Sequence, residues 1–220
     1  MSFFKLSTLN HQKEVDISSV SSYDRGRTKK AVILMNHKKI LRLTSCAVFA
    51  AFLCICSLLV VPIGPVPFAL QIFAVMLCAV TLDWAGAQLS VLVYLLIGLF
   101  LPLFSGGNTG VTALPGPTGG YIWSYLLMVP VIRCFRAIAI RGRWAEYALA
   151  FAGCLLSIAL CYSCGTAQFA LVTGRTFAEA LAVCVVPFIG FDLLKAAAAS
   201  VLGVTLAHRL LKNGICRDCS

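Results

Sequence analysis

Asp192 and Lys195 stand inside an apolar stretch, VPFIGFDLLKAAAASVLG, where a charge is costly to place. On insertion scales a charge deep in hydrocarbon costs about 2.5 to 3.5 kcal/mol, so it survives when it is paired or functional. Pro187 and Gly190 break the preceding apolar segment, and this punctuation predicts a new helix beginning near Phe191. On that helix the two residues occupy the first turn and, being three apart, share one face. Two readings stand side by side. Either the pair neutralises itself as a structural ion pair, or it projects into an outward-facing cavity, offering a polar ligand one acceptor and one cationic donor beside a positive helix end.

A second candidate is SGGNTGVTALPGPTGG (Ser105 to Gly120), which holds six glycines and two prolines. Glycine has no Cβ, so backbone amides can come close to a ligand. The closing GPTGGY (Gly116 to Tyr121) also suits a tight turn in which Thr118 caps the helix that follows. The 11 cysteines include Cys161-x-x-Cys164 and Cys216-x-x-Cys219. Most cysteines lie in apolar spans, where Cys behaves as a small buried hydrophobe, and the tail pair has no nearby His or second pair to complete a zinc site. No metal or cofactor is expected. The chain has no G-x-x-x-x-G-K-[ST], H-E-x-x-H or G-x-S-x-G motif and so cannot hydrolyse ATP by itself.

The elements that must position these groups follow from composition. Of 220 residues, 60% are hydrophobic and 12% charged, with mean hydropathy +0.93. A soluble domain of this size needs far more polar surface, which excludes secreted disulfide scaffolds, nucleic-acid binders and cytosolic enzymes despite a net charge of +10. Met1 to Arg42 carries 9 of the 18 Lys and Arg, whereas Leu43 to Ile132 contains one formal charge, Asp83. Apolar runs and Pro/Gly punctuation predict six spans, near 41–61, 68–82, 86–103, 120–140, 145–171 and 188–211, the second short and the fifth long. Residues 1–38 are polar, without apolar period, and are expected to be a disordered cytoplasmic segment; 39–212 form the membrane domain and 213–220 a cytoplasmic tail. Either Met1 or Met35 is a possible start. With Asp83, the cluster Arg133, Arg136, Arg141 and Arg143, and the basic tail placed inside, the outer loops hold only Arg175. Both termini are then cytoplasmic. The expected fold is an all-α integral membrane protein with six transmembrane helices.

Three segments in order, PVPFALQ (Pro65 to Gln71), the glycine-rich loop closing in GPTGGY, and VPFIGFDLLKA (Val186 to Ala196), resemble the BioY family of biotin transporters over about Ile40 to Leu211. The resemblance implies a six-helix substrate-binding component of an energy-coupling factor (ECF) importer in a bacterial plasma membrane. Such a component captures biotin outside and works with a membrane coupling subunit and two ATPases. By position, the family's functional Asp and Lys fall on Asp192 and Lys195. Its ligand loop falls on Gly106, Gly107, Asn108 and Gly116 to Tyr121, which includes Thr118, Gly119 and Tyr121. Ala69 departs from a common hydroxyl residue, and Phe191 from a Gly that commonly precedes the Asp. A small-x-x-x-small pair in the first span, Ala47 and Ala51, lets two helices approach closely, and the resemblance implies docking of the coupling subunit there.

Biotin's ureido ring, apolar bicycle and terminal carboxylate require a mostly apolar pocket with a few placed polar groups. Asp192 suits a ureido N–H; Lys195 suits the carbonyl or the carboxylate; Asn108 and loop amides suit the remaining polar end; Tyr121 or Trp123 suits the ring. Two alternatives are a component for another vitamin and a lipid-modifying membrane enzyme using Asp192 and Lys195. The enzyme lacks a supporting His, Cys or paired-carboxylate constellation, since His11 and His37 lie in the tail and His208 at the far end of the last span.

Overall fold

The computed structural model describes residues 39–61, 68–104, 107–138 and 142–212. The expected N-terminal segment 1–38, the tail 213–220 with Cys216 and Cys219, most of the Pro-rich turn, Gly106 and Arg141 lie outside the described residues. The chain divides into Met1–Leu41, of which residues 39–41 are described and helical, and Arg42–Ser220. The second unit carries everything below.

Hydrophobic run length translates directly into helices α1 (Lys39–Leu58), α2 (Gln71–Thr81), α3 (Trp84–Phe100), α5 (Gly119–Arg136), α6 (Arg143–Thr173) and α8 (Ile189–Lys212). Each lies on one of the six expected spans. By length and apolarity α1, α6 and α8 are long enough to cross a bilayer. Helix α2 has only 11 residues, about 16 Å at 1.5 Å per residue, against the ~30 Å of a hydrocarbon core. Between the spans are two short helices, α4 (Gly110–Ala113) and α7 (Phe177–Cys184), and a pair of two-residue antiparallel strands, β1 (Val60–Val61) and β2 (Phe68–Ala69), in register Val60 to Ala69. The architecture is all-helical as expected, and beside the helices the chain on either side of the Pro-rich turn pairs over two residues as a small hairpin. In α7, Thr176 and Glu179 form a reciprocal capping box, and the Thr176 backbone N–H holds the Glu179 carboxyl below its ordinary value.

Short α2 is buried along nearly its whole length because α3, α5, α6 and α8 pack around it. Close approach rests on missing side chains: a Cβ on Gly203 of α8 would lie 2.6 Å from Val80 Cγ1 of α2. The α5–α6 contact, the most extensive, rests on Gly120, whose Cβ would stand 2.4 Å from the Cys164 carbonyl oxygen. That neighbour is backbone and cannot yield, so Gly120→Ala is expected to lower stability by about 1 to 3 kcal/mol, read as a fall in Tm of the detergent-purified chain. Within α5, Pro130 has no N–H for the Leu126 carbonyl, and Gln88 Nε2 of α3 donates to that carbonyl instead, at 3.3 Å. A helix defect thereby becomes an interhelical tie.

Arg133 and Arg136 are corrected from inner-loop residues to buried residues in the last turn of α5, where cations suit the negative helix end. Asp83 precedes α3 and pairs with Arg42 of α1.

Candidate functional site

The apolar segment before the ion pair ends in α7, and α8 begins at Ile189, two residues earlier than expected, with Gly190 inside its first turn. Asp192 therefore lies in that first turn, where the helix dipole favours a carboxylate. Both charges are buried, Asp192 at 3% and Lys195 at 8% exposure, and Lys195 Nζ lies 2.8 Å from Asp192 Oδ1. Two further contacts fix the pair. Tyr162 of α6 donates its hydroxyl to Asp192 Oδ2, and Lys195 Nζ donates to the Ala69 carbonyl of β2 at 2.9 Å. The pair thus joins α8 to α6 and to the hairpin, and Ala69 takes part through its backbone, which any residue there supplies.

The glycine-rich segment is anchored to the same α6. Gln168 Nε2 donates to the carbonyls of Leu114 and Gly116, at 2.7 and 2.8 Å. Gly119 is required by packing: its Cβ would fall 1.9 Å from the Leu114 carbonyl oxygen. Gly107 adopts φ +79°, a left-handed conformation suited to glycine, and lies in the tight turn that pairs Phe104 with Asn108. Gly107 and Asn108 are exposed; Gly116 and Thr118 are half-buried. Thr118 holds the N-cap position of α5 but makes no side-chain capping bond, which corrects the cap reading. Tyr121 is buried with its ring against Gly165 of α6, where a Cβ would stand 2.3 Å from the ring. Trp123, by contrast, is exposed on the outer face of α5.

Sequence reasoning missed Tyr162, Gln71 and Gln168. Gln71 is buried at the start of α2, with its amide N–H donated to Tyr94 at 2.9 Å and its amide oxygen accepting from Tyr125 at 3.0 Å. It was in view as the last residue of PVPFALQ, and a polar amide opening an apolar run is the one signal that marked it. Ala47 and Ala51 are exposed on α1, whose opposite face, including Phe49, Leu53 and Cys56, enters the core. Cys161 accepts a hydrogen bond from Ser124 at 3.0 Å, and His208 meets Glu146 at 2.8 Å at the far end of α8. Among the described residues no cluster of His, Cys, Asp and Glu could hold a metal ion.

A sequence model described as the BioY family matches residues 28–212. The chain belongs to the BioY family. BioY relatives cover most of it. The biotin transporter BioY2 of Lactococcus lactis subsp. cremoris is 31% identical over 177 residues, 80% of this chain and 95% of the relative. The biotin transporter BioY of Thermotoga maritima is 32% identical over 170 residues, 75% of this chain and 95% of the relative. A crystal structure of the S-component for biotin from an ECF-type ABC transporter superposes with a TM-score of 0.70 at 26% identity, over 79% of this chain and 94% of that one. The BioY fold is therefore that of a membrane transport component, and the lipid-modifying enzyme weighed from the sequence falls away.

Proposed function

We propose that this BioY chain captures biotin as the substrate-binding subunit of an ATP-driven ECF-type importer and performs no chemistry itself. The observation that carries the reading is the buried Asp192–Lys195 pair in the first turn of α8, held by Tyr162 and the Ala69 carbonyl. Such an arrangement is pre-organised to exchange an internal contact for one with a polar ligand. The names of the BioY relatives and of the superposed S-component support biotin as that ligand.

In this reading Asp192 accepts a ureido N–H and Lys195 serves the carbonyl or carboxylate. Gly107, Asn108, Gly116, Thr118 and Gly119 bring the loop backbone to the ligand, and Tyr121 forms a wall beside its ring. Six helices, α1, α2, α3, α5, α6 and α8, make up the membrane domain in a bacterial plasma membrane, with short α2 enclosed by its neighbours and both ends cytoplasmic, as the positive-inside charge pattern favours. The coupling subunit docks on α1 at Ala47 and Ala51, and two ATPases supply the energy this chain has no motif to extract.

Native mass spectrometry of the detergent-purified chain tests the substrate: one retained biotin is the expected result, and another retained mass would reassign the ligand. In liposomes the lone chain should bind biotin but accumulate none, even under a proton gradient, until the coupling subunit and ATPases are added. Gradient-driven uptake by the chain alone would overturn the dependence.

A further inference from the structure

Between Leu43 and Ile132 the sequence holds a single formal charge, Asp83, and the proposed ligand site leaves it unused. A carboxylate kept in so apolar a stretch needs a partner, and the fold supplies one on another helix. Asp83, at the corner where α2 gives way to α3, pairs with Arg42 in the first turn of α1. The Asp83 side chain is 14% exposed and lies over Gly86, where a Cβ would stand 2.7 Å from Asp83 Oδ1 and 3.3 Å from Cys46 Sγ of α1. One turn further along α3, buried Ser90 donates to the Cys46 carbonyl at 3.1 Å as well as to the Gly86 carbonyl of its own helix at 2.8 Å. Three residues of the α2–α3 corner, Asp83, Gly86 and Ser90, therefore grip two successive turns of α1, at Arg42 and at Cys46.

The grip sets the rotation of α1 about its own axis. Arg42 and Ala51 are nine residues apart, about two and a half turns, and so stand on opposite faces of the helix. Cys46 is the first α1 side chain to be buried among the described residues, whereas Ala47 and Ala51 are exposed. Pinning Arg42 to the bundle thus turns the small-residue pair outward. An ion pair with one half-exposed member adds little to stability, so the fold of the subunit depends on it only weakly. Helix association in lipid, by contrast, rests on close contact between small residues, and that contact is lost when a helix rolls or tilts.

We propose that Arg42 and Asp83 are positioning residues for docking: by holding the first turn of α1 against the α2–α3 corner they aim Ala47 and Ala51 at the coupling subunit, an inference that rests on the docking reading above. Neither residue needs to touch the partner. Their effect on it passes through the orientation of α1.

Arg42→Gln, Asp83→Asn and the double variant remove the charges with little change of shape. For each full-length chain, Tm and biotin Kd should be measured in detergent, and affinity for the coupling subunit assembled with its ATPases in nanodiscs, with Ala51→Trp as the reference. The expected result is assembly weakened about three- to tenfold by either single change and no further by the double, since both remove the same contact. Biotin Kd should be unchanged and Tm lowered by no more than about 3 °C. Undiminished assembly would overturn the proposal, as would additive losses or a loss confined to one residue, which would show that the two do not act as a pair. A fall in biotin affinity, a larger fall in Tm or a failure to fold would make the pair structural and equally overturn it. Undiminished assembly by Ala51→Trp would instead remove the docking reading itself, and the positioning role with it.

Discussion

Asp192→Asn and Lys195→Ala are each expected to weaken biotin binding by about 10- to 100-fold while the chain still inserts. Each substitution removes a charge-assisted hydrogen bond at a buried position, typically worth about 1.5 to 3 kcal/mol. The two failures differ in kind. Asparagine keeps the shape and can still accept from Tyr162, but it leaves the Lys195 ammonium beside a neutral amide and the Ala69 carbonyl. Alanine at 195 leaves a carboxylate at 3% exposure supported by Tyr162 and the helix dipole, and it frees the hairpin carbonyl that Lys195 holds. Breaking a buried pair from one side costs about 3 to 5 kcal/mol, so Lys195→Ala should also lower Tm more than Asp192→Asn, whose amide remains hydrogen-bonded. Isothermal titration on the folded fraction of both variants decides the matter. Wild-type affinity in both would leave the pair a structural ion pair with no part in binding.

The six long or apolar helices were legible because their signal is local: a run of hydrophobic residues ended by Pro, Gly or charge predicts a helix without knowledge of its neighbours. The first turn of α8 was legible for the same reason, since Pro187 and Gly190 precede Asp192 directly. The β1–β2 pair was not, because two residues on each side carry no periodicity and their partners lie across the Pro-rich turn. Tyr162, Gln71 and Gln168 escaped for a different reason. An aromatic or amide inside an apolar span reads as packing or as an interfacial residue until the fold shows what it touches, and Tyr162 reaches Asp192 across 30 residues of sequence. Lys195 reaches the Ala69 carbonyl across 126, to an atom common to every residue type, so the side chain at position 69 carried no signal at all. Thr118 marks the converse case. Its type and position suited a cap, yet its hydroxyl makes no capping bond, because propensity states what a residue can do and the packed loop decides what it does.

Replacing Ala47 or Ala51 with Trp should abolish biotin transport by the complete importer and leave biotin binding by the isolated chain intact. The row Leu43, Ala47, Ala51, Ile55 follows the four-residue ridge of α1, and all four residues are exposed, so larger apolar side chains flank a shallow centre built from two methyl groups. Without a hydrophobic drive between helices in lipid, association depends on close van der Waals contact, which small residues permit and an indole ring prevents. Ordinary packing inside the bundle, the other use of such a pair, is made by the opposite face of α1 through Phe49, Ala50, Leu53 and Cys56. An exposed substitution away from that face should change stability by no more than about 0.5 kcal/mol, so the Asp192–Lys195 pair and its Tyr162 contact are left as they were. Transport in proteoliposomes containing the coupling subunit and ATPases, measured beside titration of the detergent-purified variant, separates the two outcomes. Loss of binding together with transport would place the alanines in the fold of the subunit rather than on its docking face, and undiminished transport would remove α1 from the interface.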